Sequence, residues 1–229
     1  MRVLGLIGAR GGSKGIPRKN LVDLAGHPLI YYTFSEARKS RLLDRVVLST
    51  DDPEIAALAK SCGVEAPFLR PADLASDTAA LADAIQHALE WLKANEAYTP
   101  DAILLLQPTS PLRQTKHIDE AVTLFQTENA DSVISLSPPQ EHPWDMVYFE
   151  DQRMHFARDK YSELTNRQTY REFFYINGAI YITRLELFAK HKNFWAGKIT
   201  PYHMDALDSI DVDSEADLVI ADCLLRRRQ

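Results

Sequence analysis

"VLGLIG" at residues 3–8 runs straight into "ARGGSKGIPRKN" at residues 9–20, and the reading of that junction decides the fold. The first segment is an apolar run of strand length. The second offers Gly11, Gly12 and Gly15 for close backbone approach and Arg10, Lys14, Arg18 and Lys19 for positive charge. A buried strand opening into such a loop suits the carboxyl edge of a parallel sheet, where α/β folds bind their ligands.

The rest of the chain agrees. "RVVLST" (45–50), "AILLLQ" (102–107), "SVISLS" (132–137) and "GAIYIT" (178–183) are further apolar runs of strand length. Helical stretches separate them. The clearest spans 79–94, where Leu81, Ile85, Ala88, Leu89 and Leu92 recur at steps of three and four behind an "SDT" start signal. Near-continuous apolar strands joined by helices predict a mainly parallel sheet covered on both faces, a three-layer α/β/α doubly wound fold. Residues 1–229 read as one domain. Within it, 138–174 breaks the rhythm with mixed aromatics and charges, and reads as a small β-rich inserted arm. Such an arm pairs with a second subunit or packs as a lid on its own chain; the pattern leaves both open.

Composition narrows the function classes. The chain of 229 residues is 45% hydrophobic, enough to bury a sizeable core. A formal net charge of -6 argues against a nucleic-acid or anionic-membrane binder, which needs a surplus of Lys and Arg. The cations of 9–20 are therefore a local device. Cys62 and Cys223 stand far apart with no ligand-spaced neighbour, which reads as two buried thiols, not a disulfide or a zinc site. The seven His residues show no triad or ligand spacing. The apolar start is too short for a signal peptide and no run has the length of a membrane span, so a cytoplasmic location is expected. The closing "LLRRRQ" reads as cations at a helix C-terminus.

The loop is no Walker A, because Ser13 and not Gly precedes Lys14, and no G-x-G-x-x-G occurs. It still has the chemistry to hold a phosphate chain. A second constellation lies in "SIDVDS" (209–214): if extended, Asp211 and Asp213 point to one side, as a Mg²⁺ ion completed by substrate phosphates requires. Ser214 followed by Asp217 marks a helix start, so Asp213 has the alternative of a dipole-matched surface acid. A cationic cradle with a carboxylate pair points to attack on phosphorus, helped by positioning and charge neutralisation.

Five stretches, "ARGGSKGIPRKNL" (9–21), "RPADLASDT" (70–78), "LLLQPTSPLR" (104–113), "NRQTYREFFYINGAIYIT" (166–183) and "SIDVDS" (209–214), together resemble the motifs of the acylneuraminate cytidylyltransferases. The resemblance implies a Rossmann-like nucleotide-diphospho-sugar transferase fold. It also implies a reaction in which a nine-carbon 2-keto sugar acid attacks CTP to give a CMP-sugar and pyrophosphate. Arg10, Gly11, Gly12, Ser13, Lys14, Lys19 and Asn20 would hold the triphosphate and the cytosine edge, with Arg70, Ser76, Asp77 and Thr78 completing the nucleotide pocket. Arg10, Lys14, Lys19 and Asp211 would carry catalysis, and Asp211 with Asp213 would hold Mg²⁺. Gln107, Asn177, Tyr181 and Phe194 would line the sugar site, where Arg167 and Gln168 would meet the sugar's carboxylate.

From pattern alone, Gln107 at the sheet's carboxyl edge reads as a ligand contact ahead of a strand cap, Tyr181 reads as core ahead of a ligand, and Phe194 and Trp195 read equally as core or as an apolar wall for the sugar's acyl group. In the family the arm crosses a homodimer interface. One departure stands out: where the family commonly has Lys after "HP", this chain has Trp144 and Asp145. Two alternatives stay open, a synthetase for CMP-legionaminic or CMP-pseudaminic acid and a nucleotide-binding module without catalysis. Retention of Lys14, Lys19, Asp211 and Asp213 counts against the second.

Overall fold

The computed structural model describes residues 1–12, 15–157 and 171–228. Five strands form where the apolar runs predict them: β1 (Val3–Gly8), β4 (Arg45–Ser49), β5 (Ala102–Leu106), β6 (Ser132–Ser137) and β9 (Tyr175–Arg184). With β10 (Ile199–His203) they make one six-stranded sheet in the order β10-β6-β9-β5-β1-β4. Two short hairpins stand outside it, β2 (Asp23–Leu24) with β3 (His27–Pro28) and β7 (Val147–Glu150) with β8 (Arg153–Phe156).

Alternation along the strands builds the layers. Val3, Ile7, Leu48, Leu104 and Leu106 point into a core shared with α1 (Leu29–Lys39), α2 (Pro53–Ser61) and α4 (Thr115–Thr127). Their neighbours Leu4, Leu6, Val47, Ile103 and Leu105 point to the opposite face, against α3 (Leu81–Glu96) and Phe188 of α5 (Leu185–His191). The expected three-layer α/β/α arrangement follows. A third apolar cluster, with Ile16, Leu24, Leu112 and Val212 packed on Ala221 and Leu225 of α6 (Glu215–Arg226), holds the loops of the carboxyl edge together.

The sheet is parallel in its β4-β1-β5 half and in the β10-β6 pair, while β9 runs antiparallel to both its neighbours. It enters between them, so its first residues and the last residue positions of β5 meet at one edge. The edge strand β10 lies outside the five expected runs: Pro201 interrupts its apolar pattern, and edge strands tolerate proline.

Three local expectations change. The helix predicted at 79–94 runs from Leu81 to Glu96 with Ala80 as its cap and no side-chain cap bond, because Asp77 of "SDT" is engaged by Arg10 instead. Leu81 is exposed and Ala84 takes its place on the buried stripe. Cys62 is half-buried and Cys223 exposed on the outer side of α6, so the pair of buried thiols is corrected. The segment read as a β-rich arm does hold the β7–β8 hairpin, whose Val147, Tyr148, Phe149 and Met154 are exposed. No described helix is long and apolar enough to cross a membrane.

Candidate active site

The loop after β1 is pinned to its surroundings at every described turn. The Gly11 N–H donates to Asp51 Oδ1 at 3.0 Å, and the buried Asn20 amide donates to the Arg10 carbonyl at 3.0 Å. Gly12 follows, exposed, where an added Cβ would meet nothing within 4 Å among the described residues. Gly15 is different: its Cβ would lie 2.9 Å from the Asp213 carbonyl oxygen, so only glycine lets the loop lie against that backbone. Ser13 and Lys14 lie outside the described residues.

Each described loop cation meets an acid. Arg10 Nη1 reaches Asp77 Oδ1 at 2.6 Å, across the mouth of a cavity of about 320 Å³ lined by Gly8, Arg70, Ser76 and Leu81. Arg18 pairs with Asp52, the cap of α2, and with Glu54 in its first turn. Lys19 Nζ donates to Asp213 Oδ1 at 2.9 Å and to the Val212 carbonyl at 2.8 Å. Arg70 is buried beneath the cavity, with Nε on Ser49 Oγ at 3.0 Å and Nη2 on the Ser49 carbonyl at 2.7 Å. Burial lowers its pKa, opposed by Asp51 and reinforced by Arg10. Ser76 and Thr78 face each other through their hydroxyls at 3.4 Å. Of the sequence-predicted nucleotide residues, Arg10, Arg70, Ser76 and Asp77 line this cavity, while Lys19 lies away from it against Asp213.

Residues 209–213 form no strand. Val212 is buried in the third apolar cluster and its N–H donates to the Thr109 carbonyl at 2.8 Å, with Asp211 half-buried before it and Asp213 exposed after it. The two carboxylates differ in kind. Asp213 is met by Lys19, whereas Asp211 Oδ1 is buried with no hydrogen-bond partner among the described residues. Burial raises the Asp211 pKa; the Thr109 hydroxyl and Lys19 oppose the rise, and Asp213 and Asp217 add to it. A carboxylate whose charge burial disfavours, and which keeps one buried oxygen without a donor among the described residues, is suited to a cation. Ser214 and Asp217 form the predicted capping box at the start of α6.

Beside Asp211 the edge opens toward β9. Gly178, at φ +74, lies so close to the end of β5 that its Cβ would sit 3.1 Å from Gln107 Oε1 and 3.8 Å from Asp211 Oδ2. Gln107, Gly178 and Asp211 therefore surround one spot, with the half-buried Tyr181 near it; burial raises the Tyr181 pKa, and Asp211 adds to that. Phe194 is buried in the core at 5.8 Å, ring to ring, from Tyr181, and Trp195 is exposed at the same distance. Asn177 is buried, with its amide wholly taken up by Ser135, Ala179, Ser209 and Met204. It ties the edge together and offers no open polar group. Arg167 and Gln168 lie outside the described residues.

Sequence reasoning missed the residue that joins the two halves. Arg113, fully buried, donates to the Gln107 carbonyl at 3.0 Å, the Ala179 carbonyl at 2.8 Å and Thr33 Oγ1 at 2.7 Å. Desolvation pushes its pKa down to about 9, with Glu36 opposing. Its only sequence signal is the end of "LLLQPTSPLR". A larger cavity of about 650 Å³, between α1 and the end of α6, holds none of the converging groups apart from a wall of Arg113.

A sequence model of the cytidylyltransferase family matches residues 4–204. The chain is 32% identical over 230 residues to the CMP-N,N'-diacetyllegionaminic acid synthase of Legionella pneumophila, covering 100% of this chain and 98% of that one. It is 34% identical over 222 residues to the N-acylneuraminate cytidylyltransferase of Escherichia coli, covering 96% of this chain; it spans about half, 51%, of that enzyme. In fold it resembles a CMP:2-keto-3-deoxy-manno-octonic acid synthetase solved with CTP, at a TM-score of 0.74, 17% identity and full coverage of both chains.

Proposed function

The chain belongs to the cytidylyltransferase family, and from that premise we propose that it activates a nine-carbon 2-keto sugar acid of the sialic type with CTP, giving the CMP-sugar and pyrophosphate. The anomeric oxygen forms a bond to the α-phosphorus as the bond from that phosphorus to the bridging oxygen breaks. Pyrophosphate leaves with the electron pair, and the hydroxyl proton passes to solvent water. The observation that carries this reading is the carboxyl edge on which the cation loop, the Arg70 cavity and the Asp211 oxygen that meets no donor among the described residues lie near the close approach of Gln107 and Gly178.

Arg10 and Lys19, with Ser13, Lys14 and the backbone of Gly11 and Gly12, receive the triphosphate. Lys19 then exchanges Asp213 for a phosphate oxygen. Arg70, Ser76, Asp77 and Thr78 frame the nucleoside, and Asn20 fixes the loop. Gln107 and Tyr181 face the sugar acid, backed by Phe194 and positioned by Asn177, and Arg167 and Gln168 meet its carboxylate. Holding both reactants on one rigid edge supplies much of the rate by orientation.

Mg²⁺ fits the donor set. Asp211 and Asp213 supply two carboxylates, and no group of three or more His, Cys, Asp or Glu able to hold a metal forms among the described residues; magnesium commonly takes one or two carboxylates and completes its shell with phosphates and water. Once bound, the ion neutralises charge on the phosphate oxygens. The exposed apolar residues of the β7–β8 hairpin support a homodimer in which the arm of 138–174 meets a second copy. The whole 1–229 acts as one domain, in the cytoplasm.

Legionaminate is the second reading for the acceptor, favoured by the full-length match to the Legionella enzyme; pseudaminate is a third. Pyrophosphate release with CTP, ATP, GTP or UTP, a panel of these sugar acids, and Mg²⁺ or EDTA tests the proposal. Release with CTP and one acid only, abolished by EDTA, is the expected result. Release with another nucleotide, or none with any acid, overturns it.

A further inference from the structure

Three residues before Asp211, in the turn Ala206–Asp208, a carboxylate is buried at the centre of a clamp. Asp208 Oδ1 accepts from Arg228 Nη2 and, at 3.3 Å, from Gln114 Nε2. Its Oδ2 lies 3.2 Å from His117 Nε2 and 3.8 Å from Lys116 Nζ. His117 Nδ1 accepts the Gln114 N–H at 3.0 Å, so its ring proton sits on Nε2 and is donated to Asp208. Arg228 also donates to the Leu112 carbonyl at 3.1 Å. The clamp therefore ties this turn to the start of α4 and to the residues just after α6.

The next residue continues the anchoring. Ser209 Oγ donates to the Asp205 carbonyl at 2.7 Å and accepts from Asn177 Nδ2 at 2.9 Å. The chain is fixed again at Val212, so Ile210 and Asp211 bridge two held points. Buried ion pairs are poor devices for stability, since apolar residues of the same volume often do as well. They do fix orientation. We infer that Asp208 is a positioning residue, which through His117, Gln114 and Arg228 sets the place of the Asp211 carboxylate at the phosphate edge. The inference rests on the reading of Asp211 as a cation ligand.

Calorimetric titration with CTP, once in EDTA and once with Mn²⁺, tests it. In the unaltered protein Mn²⁺ is expected to tighten CTP binding. Asp208→Asn is expected to remove at least about tenfold of that tightening, the usual cost of loosening a group that holds a metal ligand, while affinity in EDTA stays within about twofold. Equal losses with and without Mn²⁺, or none, overturn the inference and leave Asp208 a plain structural clamp. Should Asp208→Asn fail to fold, as judged by thermal melting, Arg228→Gln replaces it with the same expected pattern. Asp211→Asn is the control: if it keeps the full Mn²⁺ effect, the metal reading itself has failed and the inference falls with it.

Discussion

The two halves of the carboxyl edge are built on opposite principles. On the β4-β1-β5 side each described loop cation is held by an acid, Arg10 by Asp77, Arg18 by Asp52 and Glu54, Lys19 by Asp213. On the β9-β6 side the chain presents apolar surface, with Phe149 72% and Tyr175 62% exposed. The first half is charged and its described cations are already paired; in the proposed reaction those pairs would be exchanged for phosphate oxygens. The second half is apolar and exposed, and carries the proposed contact with a second copy. A single edge thus combines electrostatic preorganisation with an apolar flank.

The largest effect that breaks or sustains this comparison is on chemistry. Asp211→Ala and Lys14→Ala are each expected to lower turnover by at least roughly a hundredfold with an unchanged melting temperature. Near-normal pyrophosphate release from either variant removes the charged half from the mechanism. Next comes the joint between the halves. Arg113→Leu strands the Gln107 and Ala179 carbonyls and is expected to cost about 2 kcal/mol of stability, read from urea unfolding; an unchanged midpoint shows the two halves do not depend on it.

On the apolar side, Phe149→Asp is expected to weaken self-association about tenfold, as losing one buried aromatic anchor does, followed by sedimentation velocity. An unaltered profile separates the hairpin from assembly. Asp77→Asn tests the rim of the cavity: an exposed ion pair is worth under about 1 kcal/mol, so the CTP KM is expected to rise only about threefold, and an unchanged KM marks the pair as incidental.

The smallest effect is on pH dependence. Burial lowers the His117 pKa, opposed by Asp208, so the ring folds neutral and the unfolded chain takes up the proton first. Stability tied to His117 is full above its ordinary pKa of about 6.5 and is lost as pH falls below it. Melting temperatures between pH 8 and pH 5 should therefore fall less steeply in His117→Gln; parallel curves refute the assignment.

These tests fall partly on residues that the sequence announces and partly on residues that it hides. The apolar runs are legible because continuous burial leaves a continuous pattern, and the cation loop because glycines and charges cluster within it. Strand direction is not legible: β9 has the same period whichever way it runs. Arg113 reads as a surface charge until its three acceptors are assembled around it, from residues 33, 107 and 179. Asp208 is hidden for the same reason, its partners lying 94 and 20 positions away. Trp144, the departure from the family pattern, packs edge-on against His142 and Phe173, and the structure gives no account of what it selects.

The antiparallel strand has a consequence for how the chain reaches this state. β5 and β6 are separated in the sheet by β9, which arrives about 40 residues after β6 ends. Until it inserts, β4-β1-β5 can pair, but β5 has an open edge and β6 has no neighbour between them. Such late, non-local pairing slows folding and leaves a strand edge open to other chains. Gln107 and Gly178 meet only at that step, so the site proposed for the acceptor would come into being with the closing of the sheet.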